Sequence, residues 1–166
     1  MSDLLHLLQH PGTNPKSFIS TICSTEIVDG HTWVELSESY FYPSGGGQPA
    51  DHGSLEYEDG TFSIENVKKG KKLLHNIGNI DSDMIVFDLP VSASIDTDRR
   101  NLLSRMHTAQ HLISAAADEL FSGNTIGNQI GLDKTRIDIG MEDRSKFDKE
   151  YLEQLVNDNI EQQIPV

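Results

Sequence analysis

Apolar positions between residues 101 and 121 recur at the three- and four-residue spacing of one face of a helix. No Gly or Pro interrupts this segment. The positions that share the apolar face are Leu102, Leu103, Met106, Ala109, Ile113, Ala116 and Leu120. The pattern predicts a long amphipathic helix in the middle of the chain.

The first part of the chain follows a strand pattern instead. Residues 18–28 are rich in β-branched side chains, and residues 31–36 form a second such run after Asp29-Gly30, which is a strong hairpin signal. A second hairpin is predicted over residues 55–67 with its turn at Asp59-Gly60, and a third strand pair over residues 72–77 and 84–89. Short strands up to about Ile95 indicate a small barrel or a curled sheet.

Two further elements are predicted after the central helix. Residues 136–139 alternate between polar and apolar side chains, as in a half-buried strand. Residues 148–162 read as a second helix. Its apolar face consists of Tyr151, Leu152, Leu155, Val156 and Ile160.

Composition narrows the classes of protein that fit. The 166 residues carry a formal net charge of −13, which argues against a broad basic surface for nucleic acid but allows a local basic patch. The one cysteine, Cys23, cannot form an internal disulfide. Neither a secretory leader nor an apolar run of membrane-spanning length is apparent. We therefore expect a cytoplasmic protein without membrane contact.

His107 and His111 are the candidate chemical groups of the central helix. Four residues apart, they lie one turn above the other, where two imidazoles can bind one metal ion, usually zinc. Both project away from the centre of the apolar face, which also fits two independent surface histidines. Thr108 stands where a metalloprotease helix needs its Glu, so peptide hydrolysis of that kind is excluded.

A run of three glycines, residues 45–47, lies between Tyr42-Pro43 and Gln48-Pro49. A bare glycine run is typical of a flexible linker. The two prolines stiffen its entry and exit, which favours a shaped loop that contacts a ligand or the next domain. No Gly-Lys-Ser/Thr follows, so it is not a phosphate-binding loop of that type.

Two groups of cations stand out in the acidic chain. The lysines of residues 68–72 are typical of a solvated hairpin tip, with phosphate contact as the alternative. Arg99 and Arg100 precede the central helix, at the end that the helix dipole disfavours for cations. This mismatch indicates partners elsewhere, either carboxylates or phosphates.

Four blocks together resemble a known family: Phe-Tyr-Pro-Ser-Gly-Gly-Gly-Gln-Pro-Ala-Asp-His-Gly at 41–53, Asp-Thr-Asp-Arg-Arg at 96–100, His-Thr-Ala-Gln-His-Leu at 107–112 and Arg-Ile-Asp-Ile at 136–139. Their order and separation are similar to those in the editing domain of alanyl-tRNA synthetase, and most of all in its free-standing AlaX-type relatives. The resemblance runs from about Phe18 to the end.

The resemblance implies an α+β fold. A small glycine-motif, β-barrel-like domain would occupy residues 1–95, and an α+β editing domain with the central helix would occupy residues 96–166. It also implies a zinc-dependent hydrolase that deacylates tRNA(Ala) mischarged with serine or glycine, acting at the acceptor end of that tRNA.

The resemblance also assigns residues. His107 and His111 match the first two zinc ligands, and Gly45, Gly46, Gly47 and Gln48 match the glycine block that shapes the substrate site. Three nearby polar residues are further substrate-binding candidates: Thr108, Gln110 and Gln129. Binding of tRNA would require Arg99, Arg100, Arg105 and the lysines of residues 68–72 to gather on one face.

The chain departs from the family pattern in the second pair of zinc ligands. The family has a later Cys-x-x-x-His, whereas here Cys23 is followed four residues on by Ile27. Two protein ligands are fewer than zinc sites usually have. Truncation is the simplest explanation; a second polypeptide that completes the site and a degenerate protein are the others. The alternative functions are a non-catalytic aminoacyl-tRNA-binding module and a zinc hydrolase of small esters.

Overall fold

The computed structural model describes residues 5–7, 15–57 and 60–163. Its strands and helices are β1 (Ser17–Val28), β2 (His31–Leu36), β3 (Gly53–Tyr57), β4 (Gly60–Ile64), β5 (Asn66–Lys69), β6 (Leu73–Asn76), β7 (Pro90–Ile95), α1 (Thr97–Phe121), β8 (Asn124–Gln129), β9 (Arg136–Gly140) and α2 (Lys149–Glu161). Within these ranges, no helix combines the length and the apolar character that crossing a membrane requires.

The α+β class is confirmed. Seven antiparallel strands form one sheet in the order β4-β3-β7-β1-β2-β6-β5, and β8 and β9 form a separate hairpin. The predicted hairpin around Asp29-Gly30 is β1–β2. Asp29 and Gly30 have φ angles of 53° and 77°, as the two-residue turn of such a hairpin requires.

The large sheet is curled but open. The edge strands β4 and β5 are separated in sequence by Glu65 alone, so the sheet must bend round to bring its edges towards each other. The bend lies in β1, which pairs with β7 through residues 17–21 and with β2 beyond a bulge at 22–24. In the described parts of the chain no ladder joins β4 to β5, so the expected barrel-like form is a curled sheet without closure.

Of the predicted third strand pair, the strand at residues 72–77 is confirmed as β6, whereas the strand at residues 84–89 and the pairing are wrong. Residues 84–89 lie in a 3-10 turn and a loop, with Val86, Phe87 and Leu89 exposed, and β6 pairs with β5 and β2. Asp88 has a φ of 61°, which ends any extended run there. The strand is β7, where Val91, Ala93 and Ile95 alternate inward.

The second predicted hairpin is β3–β4, and Val67 belongs to β5 instead. The predicted turn at Asp59-Gly60 lies in part outside the described residues, which omit residues 58 and 59.

Two compact units make up the chain. The first consists of Met1–Gly45 and Pro49–Asn101, and the second of Gly46–Gln48 and Leu102–Val166. The core of the first unit contains Leu36, Phe41, Leu55 and Leu73, each fully buried. Division into domains at 1–95 and 96–166 stays a prediction. A single boundary in the sequence does not describe the second unit, because that unit also contains residues 46–48 at the tip of the glycine loop.

Candidate functional site

The two histidines of α1 stack as predicted. The ring centroids of His107 and His111 are 4.9 Å apart and the ring planes differ by 14°. His111 is exposed, whereas His107 is half-buried. Burial, with a smaller contribution from the neighbouring His111, lowers the pKa of His107 below its ordinary value. The neutral imidazole of His107, which has a free lone pair, is therefore favoured.

Gln48, at the tip of the glycine loop, is the hydrogen-bond partner of His107. The side-chain oxygen Oε1 of Gln48 lies 2.8 Å from Nδ1 of His107. Gln48 is buried, with a relative exposure of 6%. The sequence resemblance grouped these two residues in one site, and the structure brings them into direct contact.

The backbone angles favour glycine at both positions of the loop tip, and close packing also requires it at position 47. Gly46 and Gly47 have φ angles of 59° and 81°. A Cβ on Gly47 would lie 1.7 Å from Oδ1 of Asn128, and a Cβ on Gly46 would lie 3.7 Å from Cε1 of His107. The backbone N–H of Ile130 donates a 2.8 Å hydrogen bond to the Gly47 carbonyl oxygen. These contacts define a shaped loop.

Gly45 differs from the other two glycines. All three are exposed, but a Cβ on Gly45 would meet no atom within 4 Å. Gly45 belongs to the first unit. Of the predicted glycine block, residues 46–48 therefore belong to the second unit, where Gln48 contacts His107 and Gly47 lies beside Asn128.

A network of polar side chains continues from Gln110. Gln110 is buried, and its Nε2 donates to Oγ of Ser114 at 2.8 Å. Nδ2 of Asn128 donates to Oε1 of Gln110 at 3.3 Å, and Oγ1 of Thr125 donates to Oγ of Ser114 at 2.6 Å. The network links α1 to β8 and fixes the side chain of Asn128 beside Gly47.

Sequence reasoning selected one of these residues and missed the others. Gln110 was predicted, whereas Ser114, Thr125 and Asn128 were not. The predicted Thr108 and Gln129 are both exposed. Successive residues of a strand point to opposite faces, so the inward position of Asn128 directs Gln129 outward. A signal for Ser114 was available, because it lies four residues after Gln110 on the helix.

The buried positions of α1 in the second unit overlap the predicted apolar face only at Leu103 and Ala116. Leu103, Gln110 and Ala117, spaced by seven residues, are buried, whereas Met106, Ile113 and Leu120 are half-buried. Seven residues are about two helical turns, so these three share one side with His107 and Ser114 between them. The loop tip and β8 cover this side, which explains why a largely polar line is buried.

His107 and His111 are ligands of the type that zinc binds, but two ligands are fewer than a zinc site normally has. Imidazole nitrogen is a usual zinc ligand, and protein zinc sites normally supply three or four such groups. Among the residues that the structure describes, no group of three His, Cys, Asp or Glu residues could hold a metal ion. An imidazole binds a metal in its ring plane, so one of the stacked rings would have to rotate before both could bind the same ion. The exposed Cys23 lies in β1, in the first unit.

The predicted arginine cluster separates into different roles. Arg100 is buried: its Nε lies 3.1 and 3.0 Å from the two oxygens of Asp51, NH2 is also bonded to Asp51, and NH2 donates to the Tyr40 carbonyl at 2.6 Å. This pairing neutralises the charge of Arg100 and opposes a contact with tRNA, so its tRNA-binding role stays a prediction that the structure does not favour. Arg99 is half-buried and donates to the Ala50 carbonyl, whereas Arg105 is exposed.

The lysine cluster is likewise partly neutralised. Lys68 pairs with Glu26 at 3.2 Å and lies over the Trp33 ring, and Lys72 pairs with Glu35 at 2.5 Å. These contacts favour the interpretation of this segment as a hairpin tip over phosphate contact, because they leave less positive charge for phosphate.

Comparison with known proteins agrees with this arrangement. Residues 19–99 match the family described as tRNA synthetases class II (A). The chain is 38% identical over 158 residues to the alanyl-tRNA editing protein AlaX-M of Methanosarcina barkeri, which covers 91% of this chain and 63% of that protein. It is 32% identical over 152 residues to the alanine–tRNA ligase of Methanopyrus kandleri, covering 90% of this chain and 16% of the ligase.

The chain is thus similar, over 90–91% of its length, to an alanyl-tRNA editing protein and to an alanine–tRNA ligase. It spans about three-fifths of the AlaX-M relatives, with 63% and 60% covered in the proteins of Methanosarcina barkeri and Methanosarcina acetivorans.

Proposed function

We propose that this chain is part of an aminoacyl-tRNA deacylase that hydrolyses the ester bond of tRNA(Ala) mischarged with serine or glycine. One observation carries the proposal. Identity to an alanyl-tRNA editing protein extends over 91% of the chain, and that span includes Gln48, its partner His107, and His111, which stacks on His107.

The chain's own residues supply polar groups close together at this site. His107 offers a neutral imidazole, and His111 stacks beside it. We propose that these two residues are ligands of a zinc ion and that the remaining ligands come from another segment or a second polypeptide. Bound zinc would supply Lewis-acid polarisation of a water molecule or of the ester.

Selection against alanine has a physical basis. Serine carries a hydroxyl group that a polar site can hydrogen-bond, and a site built for that hydroxyl strongly rejects an analogue without it. Gln110 is held by Ser114 and Asn128, so its amide has a defined orientation at the site. Thr108 and Gln129 are exposed and can reach a substrate only from the solvent side.

Arg99 and Arg105 remain the arginines proposed to contact the tRNA acceptor end. Each would neutralise a phosphate without reading sequence. A charged tRNA substrate would place the reaction in the cytoplasm.

The proposal is tested by measuring deacylation of Ser-tRNA(Ala), Gly-tRNA(Ala) and correctly charged Ala-tRNA(Ala) by the purified chain in buffer that contains Zn²⁺. We expect release of serine or glycine well above the spontaneous rate and little release of alanine. Release of all three at the spontaneous rate would contradict the proposal.

A non-catalytic aminoacyl-tRNA-binding module is the second candidate, because the described residues provide two metal ligands rather than three. It predicts binding of charged tRNA without hydrolysis. A third candidate, a zinc hydrolase of small esters, is favoured by the net charge of −13, which opposes tRNA binding. It predicts turnover of simple esters without tRNA.

A further inference from the structure

The contact between Gln48 and His107 bears on which nitrogen of the His107 ring carries the proton. A neutral imidazole carries one proton, on either Nδ1 or Nε2, and an amide oxygen can only accept a hydrogen bond. Oε1 of Gln48 faces Nδ1 at 2.8 Å, and this pair forms a hydrogen bond when the proton is on Nδ1 and the lone pair on Nε2.

Gln48 is held in place independently of this hydrogen bond. It is buried, and the preceding Gly47 is fixed by its backbone bond from Ile130 and by the side chain of Asn128. Gly46 packs against the edge of the His107 ring. The acceptor therefore has a fixed location, and the imidazole must adapt to it.

We propose that Gln48 is a positioning residue that holds His107 in the Nδ1–H tautomer, so that Nε2 presents its lone pair. Histidines that bind metals or accept protons are commonly oriented by a hydrogen bond at the second ring nitrogen. A role for Nε2 in hydrolysis rests on the proposed function. The choice of tautomer rests only on the contact between His107 and Gln48.

The test is ¹⁵N NMR of the ring nitrogens of His107 in the full chain at about pH 8, above the ordinary histidine pKa. Assignment uses loss of the signals in His107→Gln. Wild type is compared with Gln48→Ala, which removes the acceptor, and with Gln48→Glu, which keeps an oxygen acceptor. Gln129→Ala is the matched control, because it truncates an exposed glutamine of the same unit.

We expect the Nδ1–H pattern in wild type, in Gln48→Glu and in Gln129→Ala, and a shift towards a mixture of tautomers in Gln48→Ala. A wild-type ring with its proton on Nε2 would overturn the proposal, even if Gln48→Ala failed to fold. An unchanged Nδ1–H pattern in folded Gln48→Ala would also overturn it. The NMR samples contain no substrate. A negative deacylation assay would therefore contradict the proposed function without changing the outcome of the tautomer test.

Discussion

Arg100 shows how one buried pair decides the role of a residue. The side chain of Asp51 is fully buried and that of Arg100 is 7% exposed, and Asp51 also accepts a hydrogen bond from the Tyr42 backbone N–H at 2.6 Å. The Asp51 backbone N–H in turn donates to the Tyr42 carbonyl oxygen. The arginine thus stabilises the base of the glycine loop, from residue 42 to residue 51.

Removing one partner of this pair leaves the other charge buried without compensation. We expect Arg100→Ala to lower the free energy of unfolding by about 3–5 kcal/mol. Arg105→Ala, at an exposed position, should change it by about 0.5 kcal/mol or less. Urea denaturation measures both, and a loss below about 1 kcal/mol in Arg100→Ala would show that the pair is not a major stabilising contact.

His75 is a buried histidine in the core of the first unit. Its Nε2 lies 2.8 Å from Oγ of Ser39, and its Nδ1 lies 3.1 Å from the Val34 carbonyl oxygen. Burial lowers the pKa of His75 from 6.5 to about 4. The folded chain therefore keeps this ring neutral at pH values where the unfolded chain protonates it.

This difference predicts a loss of stability in mild acid. Above pH 6.5 the ring is neutral in both states; as the pH falls from 6.5 towards 4, only the unfolded state gains the proton, and unfolding becomes easier. The effect is on the order of 3 kcal/mol. His6, whose pKa burial also lowers to about 4, acts in the same direction.

The contribution of His75 is isolated by measuring the free energy of unfolding against pH for wild type and His75→Gln. We expect a shallower fall between about pH 6.5 and 4.5 in the variant. His31→Gln, at an exposed position, is the control for the chemical change. Identical curves for wild type and His75→Gln would refute the assignment.

At the scale of elements, the glycine loop offers a matched pair of substitutions. Gly47→Ala places a Cβ on Asn128 and imposes a positive φ on alanine, whereas Gly45→Ala meets open space. We expect Gly47→Ala to destabilise the chain by more than about 1 kcal/mol and Gly45→Ala to be neutral or slightly stabilising. Thermal unfolding distinguishes them, and equal midpoints would contradict the close packing at the loop tip.

Sequence patterns predicted the elements that are determined by residues close together in the chain. Asp29-Gly30 supplies the turn of β1–β2, the helical spacing supplies α1, and the four-residue separation supplies the stacking of His107 on His111. Residues 84–89 imitated a strand because apolar content alone does not show which side chains reach the core: Ile85 is buried, whereas Val86, Phe87 and Leu89 are exposed.

Contacts between distant residues were beyond these patterns. Gln48 and His107 are 59 residues apart, and Arg100 and Asp51 are 49 apart. Neither pairing has a local signature, although the resemblance placed Gln48 and His107 in one site. The choice between Asn128 and Gln129 depends on which face of β8 is turned inward, and one residue of shift exchanges the two faces.

At the scale of the whole molecule, net charge limits how tRNA can bind. The formal charge is −13, and Arg100, Lys68 and Lys72 already have carboxylate partners. The 13 lysines and arginines are also outnumbered by 26 acidic side chains, whose charge repels phosphate. Binding of tRNA should therefore depend on salt concentration much less steeply than binding by a strongly basic protein does.

Arg105 tests this point. We expect Arg105→Gln to weaken tRNA binding and to reduce the slope of log affinity against log salt concentration by roughly one, as loss of one phosphate contact does. Glu150→Gln, which removes an exposed charge on α2, provides a comparison for a change of net charge alone. An unchanged slope in Arg105→Gln would exclude this arginine from the contact.

The proposed reactive centre at His107 is tested most directly by the rate of serine release from Ser-tRNA(Ala). Wild type is compared with His107→Ala and with His31→Ala, which removes an exposed histidine from the first unit. We expect hydrolysis by wild type and His31→Ala, and a rate near the spontaneous one for folded His107→Ala. Equal rates for wild type and His107→Ala would contradict the central role of this histidine.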